Sequence, residues 1–353
     1  MLSRLLVTLA LTTGAVAVAQ TPASPPAAAP TDARGLLDAA AAYYDFNAAE
    51  LKPWHLKATY QIYDLKGDPA EQGTWERWWA SPKVHRTSLT RAGATRTEWA
   101  TADGKRYSKE TGEPLKYFER SLEGLLLSPL PGRNEIDSPR TVLDMRTVPA
   151  GPAKLSCVRV AFQWERDGKP QTPTATAGDH YCFDPQLLVL SVKYWSNSLT
   201  AEFGQIVKAQ GRYLPKQIVV FGGKQRIFSL TVDTIEGMNP ADAALTPDAG
   251  LAPVSDSTKS VTAKVATGWL MTKTQPVYPV GAKMAGAQGT VVLAAVIGAD
   301  GKVHDLEALA SPSPLLTQSA LDAVKQWVYK PYLANGEPVE VETLVNVIYT
   351  LGQ

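Results

Sequence analysis

The sequence predicts an α+β protein in two parts: a large, curved antiparallel β-sheet carrying a helix or two, then a small unit with the order helix, strand, strand, helix, strand. Three observations lead there. Between Pro53 and Glu236, strand-length segments rich in aromatic, threonine and branched residues alternate with Gly, Pro and Asp turns. After Tyr278 the apolar period changes from two to about 3.6 and back to two. Between the two stretches, residues 237–268 are rich in Ala, Pro, Asp, Ser and Thr and lack periodicity, which reads as a linker.

Composition sets the frame. At 353 residues, 44% hydrophobic and 20% charged, the chain has the balance of a core-forming protein with room for two ordinary domains. A formal net charge of +1 gives no electrostatic reason to expect nucleic acid. At the N-terminus, Arg4, the apolar run Leu5 to Val18 and the small-residue site Ala17-Val18-Ala19 read as a signal peptide over 1–19, with export to the periplasm and a mature start at Gln20. The alternative is an uncleaved anchor in the inner membrane, although the run is shorter than the roughly 20 residues of a spanning helix. Residues 20–34, rich in Ala and Pro, read as a tether that reaches roughly 40 Å when extended.

Within 35–236, Leu36, Leu37, Ala40 and Tyr44 recur at helical spacing. Strands are expected over Trp54 to Tyr63, Thr74 to Trp79, Val84 to Thr90 and Thr95 to Thr101, with reversals at Lys66-Gly67-Asp68-Pro69, Ser81-Pro82, Ala92-Gly93 and Asp103-Gly104. Leu115 to Leu127 reads as a helix before the break at Pro129 to Gly132. Further strands follow over Ser156 to Trp164, His180 to Phe183, Leu187 to Trp195, Leu199 to Lys208, Tyr213 to Phe221 and Gln225 to Ile235. The cysteines, Cys157 and Cys182, flank a turn-like run at Asp167 to Gln171, and a hairpin folded there would set the sulfurs opposite each other as a disulfide. A redox or metal pair is the other reading, but no Cys-x-x-Cys and no His-Cys cluster supports it. Gly73, Trp75, Pro82, Lys83 and Arg86, followed by Asp103-Gly104-Lys105 and Tyr107, make this part resemble the LolA-like lipoprotein-carrier superfamily. That resemblance implies an incomplete barrel over helices, with an apolar cavity for a lipid or lipoprotein. The same residues also suit a structural or dimerising β domain.

In 269–353, Tyr278-Pro279 precedes a short helix over Val280 to Ala285, ended by Gly286. The strand from Gly289 is apolar on both faces, with Val291, Leu293, Ala295 and Ile297 alternating with Val292, Ala294 and Val296, so both faces must be covered. Gly298-Ala299-Asp300-Gly301 turns the chain into Lys302 to Ala310. Ser313 suits a helix N-cap and Pro314 the first helical position, and Leu316, Ala320, Val324 and Trp327 form one stripe that packs on the hairpin. After Pro331 and the Asn335-Gly336 turn, apolar and polar residues alternate along a final strand from Val339 to Leu351.

Tyr-Pro at 278 and 279, Gly-Thr-Val-Val at 289 to 292, Asp-Gly-Lys-Val at 300 to 303, Ala-Leu-Asp-Ala-Val at 320 to 324, Trp-Val-Tyr-Lys-Pro at 327 to 331 and Asn-Gly-Glu-Pro-Val at 335 to 339 together resemble the TonB C-terminal domain family. Val328 departs from it, since members often carry a basic residue after the Trp. The resemblance implies binding of the TonB box, the N-terminal segment of a TonB-dependent outer-membrane transporter, as an added strand. A strand edge with unpaired backbone groups suits that role, and the expected edge carries Val339, Val341, Thr343, Val345, Val347 and Tyr349. Tyr278 and Pro279 are either further contacts or residues that fix the start of the domain, and Trp327 reads as core. His55, His85, His180 and His304 are isolated and read as surface or turn residues; with no His-Glu-x-x-His, Gly-x-Ser-x-Gly or P-loop pattern, no enzyme, cofactor or metal is expected. The expectation is a periplasmic, TonB-like binding protein. Its alternatives are a membrane-anchored energy transducer working with ExbB and ExbD, and a LolA-like carrier.

Overall fold

The computed structural model describes residues 30–351 apart from 152, 167–168, 176, 196–197, 255–260, 263–269 and 335. The signal peptide expected over 1–19, most of the tether, and the turn residues Asp167, Gly168 and Asn335 lie outside the described residues. Helix α1 (Ala33–Ala41) begins at Asp32, whose carboxylate accepts from the Gly35 amide at 2.8 Å, and it buries Leu36, Leu37 and Ala40. A meander follows: β1 (Trp54–Tyr63), β2 (Pro69–Ser81), β3 (Val84–Arg91), β4 (Ala94–Ala100) and β5 (Arg106–Gly112). Alternation along β1 sends Trp54, Leu56, Ala58, Tyr60 and Ile62 to the buried face.

Two helices, α2 (Tyr117–Leu127) and α3 (Arg133–Ile136), lead to a second run of strands: β6 (Thr141–Ala150), β7 (Ala153–Phe162), the hairpin β8 (Trp164–Arg166) and β9 (Lys169–Gln171), β10 (Asp179–Asp184), β11 (Val189–Trp195), β12 (Leu199–Ala209), β13 (Arg212–Gly222) and β14 (Gln225–Gly237). β14 pairs with β1, which joins both runs in one twelve-stranded antiparallel sheet of order β5-β4-β3-β2-β1-β14-β13-β12-β11-β10-β7-β6. The sequence reading has no strand at β5 or β6. Both lie at the sheet edges: β5 is polar and mostly exposed, and in β6 Asp144, Arg146 and Thr147 interrupt the apolar residues, so neither shows a clean apolar alternation to read. Cys157 and Cys182 face each other across β7 and β10 and form the expected disulfide. Two histidines depart from expectation: His180 is 2% exposed inside β10, and His85 in β3 is half-buried with Nδ1 unpartnered.

Helix α2 is held on the sheet by charge as well as by Leu122, Leu125 and Leu126. Arg91, almost fully buried on β3, pairs with the buried Glu119 at 3.0 Å, and Glu119 also accepts from the Tyr60 hydroxyl. One turn on, Glu123 accepts from Arg77 of β2 at 2.6 Å. Two strand arginines thus grip glutamates at i and i+4 on one helix face. Gly73 permits this packing, because a Cβ there would collide with the Tyr60 ring and lie 2.7 Å from the Thr90 carbonyl oxygen.

The linker contains a 3-10 turn at Ala243–Leu245, where the Trp99 indole donates to the Ala244 carbonyl at 3.1 Å. Its next residues run beside β5, with the Val254 amide donating to the Arg106 carbonyl at 2.8 Å. Then come β15 (Val261–Thr262), β16 (Leu270–Thr272), α4 (Val280–Met284), β17 (Gly289–Ile297), β18 (Val303–Ala310), α5 (Pro314–Val324), β19 (Val328–Tyr329), β20 (Tyr332–Ala334), β21 (Glu337–Val339) and β22 (Val341–Tyr349). A four-stranded sheet has the order β15-β22-β17-β18, while β16 pairs with β19 and β20 with β21. Pro314 opens α5 as expected, but Ser313 makes no side-chain cap bond. The final strand is shorter than its alternation suggests. Val339 pairs with Tyr332 in the β20–β21 hairpin, and the chain leaves strand geometry at Glu340 before β22 begins.

Candidate functional site

β22 is the element on which the expected site residues converge, and its two faces have different neighbours. Val341, Thr343, Val345, Val347 and Tyr349 are all at most 8% exposed, and the four apolar ones pack with Leu316, Ala320, Val324 and Trp327 of the α5 stripe. Their side chains are therefore committed to the core of the small unit, and what these positions can offer outward is backbone. Along one edge β22 pairs with β17 over its whole length, from Gly289 opposite Tyr349 to Ile297 opposite Val341. Along the other edge, among the described residues, only β15 pairs with it, in parallel, at Val341 and Glu342. From Thr343 to Tyr349 that edge carries no strand among the described residues.

Tyr278 and Pro279 take structural positions. The Tyr278 ring lies edge-on to Tyr349 at 5.3 Å and its hydroxyl donates to the Ala287 carbonyl, while Pro279 precedes α4 as its N-cap. Trp327 is 7% exposed, and its indole donates to the Thr274 carbonyl at 2.8 Å. The exposed side chains along this stretch of β22 are its even-numbered residues, Asn346 and Ile348, the latter 69% exposed. Sequence reasoning followed the odd-numbered apolar series and passed over them. The alternation itself is the signal that places them on the opposite face.

That opposite face answers what covers the second side of β17. Val292, Ala294, Leu309 and Ala310 are buried in the same core as α2 and the twelve-stranded sheet, and Leu344 packs against it. A Cβ at Gly222, at the end of β13, would collide with Ala310, so the two sheets meet there at glycine distance. Polar contacts frame the apolar patch. Glu307 of β18 accepts from the Tyr117 amide at 2.8 Å, Arg120 of α2 donates through Nε to Glu342 at 2.7 Å, and Asn346 hydrogen-bonds to Ser198. Burial, the largest influence, raises both Glu307 and Glu342 above the ordinary carboxylate range, against the pull of Arg120.

Pro82, Lys83, Asp103, Gly104 and Lys105, from the carrier-like set, gather with His85 and Arg106 around a cleft of about 400 Å³ formed by the β2–β3 and β4–β5 turns. A second cleft of about 380 Å³ lies between β13 and β14, where Leu214 and Lys216 face Val232 to Glu236 beyond the last paired residues Gln217 and Thr231. Side chains of α1, α2 and the small sheet fill the apolar side of the large sheet, where the carrier resemblance places a cavity. Among the described residues no three His, Cys, Asp or Glu side chains are placed to hold a metal, and no helix is long and apolar enough to cross a membrane.

Residues 274–351 match the family described as Gram-negative bacterial TonB protein, C-terminal. Protein TonB of Vibrio cholerae serotype O1 is 39% identical over 66 residues, which is 18% of this chain and 27% of that protein. The chain thus spans about a quarter of the length of this relative. Among solved structures, a DUF1329 family protein from Desulfovibrio piger matches over 62% of this chain and 95% of its own, at 10% identity and a TM-score of 0.37. A LolA superfamily protein from Nitrosomonas europaea matches over 62% of this chain and 99% of its own, at 9% identity and a TM-score of 0.36.

Proposed function

We propose that this chain is a periplasmic, TonB-like binding protein that takes up an extended segment of an outer-membrane transporter or another envelope protein as a strand added to β22. The observation that carries the reading is the edge of β22 from Thr343 to Tyr349, which has backbone donors and acceptors along it and no strand beside it among the described residues. The family match over 274–351 supports the class of partner, and the neighbouring β15 is itself a strand on that edge. The buried side chains of Val341, Thr343, Val345, Val347 and Tyr349 hold the edge rigid, so affinity comes mainly from main-chain hydrogen bonds. Tyr278 and Pro279 act by fixing Tyr349 and α4 at the end of the strand. No bound cofactor and no catalytic step enter this reading.

Strand addition has a chemical signature in the ligand. An added strand turns alternate amides toward its host and the rest toward solvent. The probe is a synthetic peptide carrying the N-terminal TonB-box segment of a TonB-dependent transporter, N-methylated at every second residue in one of two registers. One register should bind the full chain at least tenfold more weakly than the unmodified peptide, and the other with nearly the same affinity. Equal affinities in both registers would show that backbone pairing is not the mode of binding.

A further inference from the structure

The β2–β3 and β4–β5 turns, which strand addition does not use, lie at one end of the large sheet, and the register there sets four residues in a row. Trp79 pairs with His85, His85 with Ala100 and Ala100 with Arg106, so these residues of β2, β3, β4 and β5 stand side by side on one face. It is the face on which β2 buries Trp75, Arg77 and Trp79. Trp79 and Arg77 are 0% and 2% exposed, whereas His85, Ala100 and Arg106 line the cleft of about 400 Å³ between the two turns. Lys83 joins it from the β2–β3 turn and Lys105 from the β4–β5 turn. Both turns are tied down: the Val84 amide donates to Ser81 Oγ at 3.1 Å, the Thr101 hydroxyl to Asp103 at 2.6 Å and the Gly104 amide to the Thr101 carbonyl at 2.9 Å.

This end of the sheet has nitrogen groups in excess of acceptors. His85 Nδ1, which belongs to the cleft, is shielded from solvent and has no hydrogen-bond partner among the described residues, and the same holds for Trp79 Nε1 and Arg77 Nε on the neighbouring strand. The charges are unbalanced in the same sense. Glu123 answers Arg77 at 2.6 Å and Asp103 answers Lys105 at 2.8 Å, but Lys83 and Arg106 have no carboxylate partner among the described residues. Burial first, then the charges of Arg77 and Arg106, push His85 down to about 4. Ala100, the small residue between His85 and Arg106, leaves the space over β4 open. Across two strand spacings, about 9.6 Å at the backbone, that space suits an oxyanion bonded from both sides.

We infer that the cleft between the β2–β3 and β4–β5 turns binds a phosphate-type oxyanion, held by Arg106 and Lys83 from the two sides and met by His85 over Ala100. A carboxylate is planar and is matched by one arginine fork, whereas groups converging from two strands and a turn suit the tetrahedral oxygens of a phosphoryl group. A soluble phosphate ester and a phospholipid headgroup offer that same chemistry. The site is separate from β22 and does not rest on strand addition.

The test titrates the full chain, in phosphate-free buffer, with glycerol phosphate by calorimetry and with phosphatidylcholine vesicles carrying phosphatidylglycerol by co-sedimentation. Arg106→Gln and Lys83→Gln should each weaken binding about tenfold or more, the worth of one charge-assisted hydrogen bond. Both side chains are exposed, so the urea midpoint should not move. Lys66→Gln, in the β1–β2 turn at the other end of the sheet, removes the same charge and should leave binding within about twofold. Binding of glycerol phosphate with this pattern assigns the cleft to a soluble phosphate ester, and binding of the vesicles alone with this pattern assigns it to a lipid headgroup. Saturable binding of neither probe, or a loss in Lys66→Gln as large as in Arg106→Gln, overturns the site.

Discussion

Arg120 is the residue whose loss tests the contact between the two sheets most directly. Its guanidinium sits between α2 and β22, with 23% of its side chain exposed against 5% for Glu342. Replacing it by Met keeps most of the stem's packing and removes the charge. Glu342 is then left buried beside Asp305, with Glu307 on the same sheet face. Breaking a buried pair by removing one partner costs about 3 kcal/mol. At roughly 2 °C per kcal/mol for a large domain, Arg120→Met should melt about 6 °C lower at pH 7.5. The pH dependence carries the sign of the effect. Burial already raises the Glu342 carboxyl, and removing Arg120 raises it further, so ionisation opposes folding. That penalty is fully present above the folded pKa, fades as pH falls through it, and is gone below the ordinary glutamate value of about 4.3. The melting deficit should therefore shrink between pH 7.5 and pH 5. The double variant Arg120→Met, Glu342→Leu removes both charges and should recover most of the loss, since apolar replacement of a buried pair is often neutral or stabilising. Differential scanning calorimetry of the three proteins at both pH values measures all of this. A single variant that melts within about 1 °C of the parent at pH 7.5 would refute the reasoning.

Burial, with Arg77 and Arg106 adding to it, pushes His85 down to about 4. The unfolded chain then binds the extra proton between about pH 6.5 and pH 4, and stability should fall as pH drops through that window by at most about 1.4 kcal/mol per unit. His85→Gln should flatten this part of the profile in urea unfolding at pH 7 and pH 5, and an unchanged slope would count against it. Reducing the Cys157–Cys182 bond, which links positions 25 apart in sequence, should cost about 3 to 4 kcal/mol in the chain-entropy model. A urea midpoint that is the same with and without reductant would show that the bond adds no stability.

Where one face of an element met its own neighbours in the chain, the sequence was enough to place it. The α5 stripe of Leu316, Ala320, Val324 and Trp327, the turn at Gly298 to Gly301 and the cysteine pairing all depend on local period or turn chemistry, and the structure places them as read. β5 and β6 were missed because an edge strand needs no apolar alternation. His180 was misread because burial in β10 comes from long-range pairing with β7 and β11, which spacing around a single His does not encode. The two apolar faces of β17 showed that a cover must exist, yet that cover is α2 and the end of β13, distant in sequence. The candidate edge was legible as an alternating run, but its start was placed early, because Val339 keeps the alternation across the break at Glu340.

The arrangement explains why β22 carries an acidic residue at a position that is 4% exposed. In a domain whose sheet had one face in solvent, Glu342 would be an ordinary surface residue, and its neighbours Leu344 and Asn346 would need no partners. Here the same alternating strand serves two interfaces, and the even-numbered positions must satisfy the second. Leu344 supplies apolar contact, Asn346 a neutral hydrogen bond, and Glu342 a charge that Arg120 answers. The charge adds little net stability compared with an apolar pair, but a displaced or rotated α2 would leave it buried and unpaired, which is far more costly. Glu342 thus favours one placement of α2 against β22 over its neighbours. Glu119 and Glu123 act in the same way on the neighbouring face of the helix, where Arg91 and Arg77 answer them, so α2 is held in register against β22 and the large sheet at once.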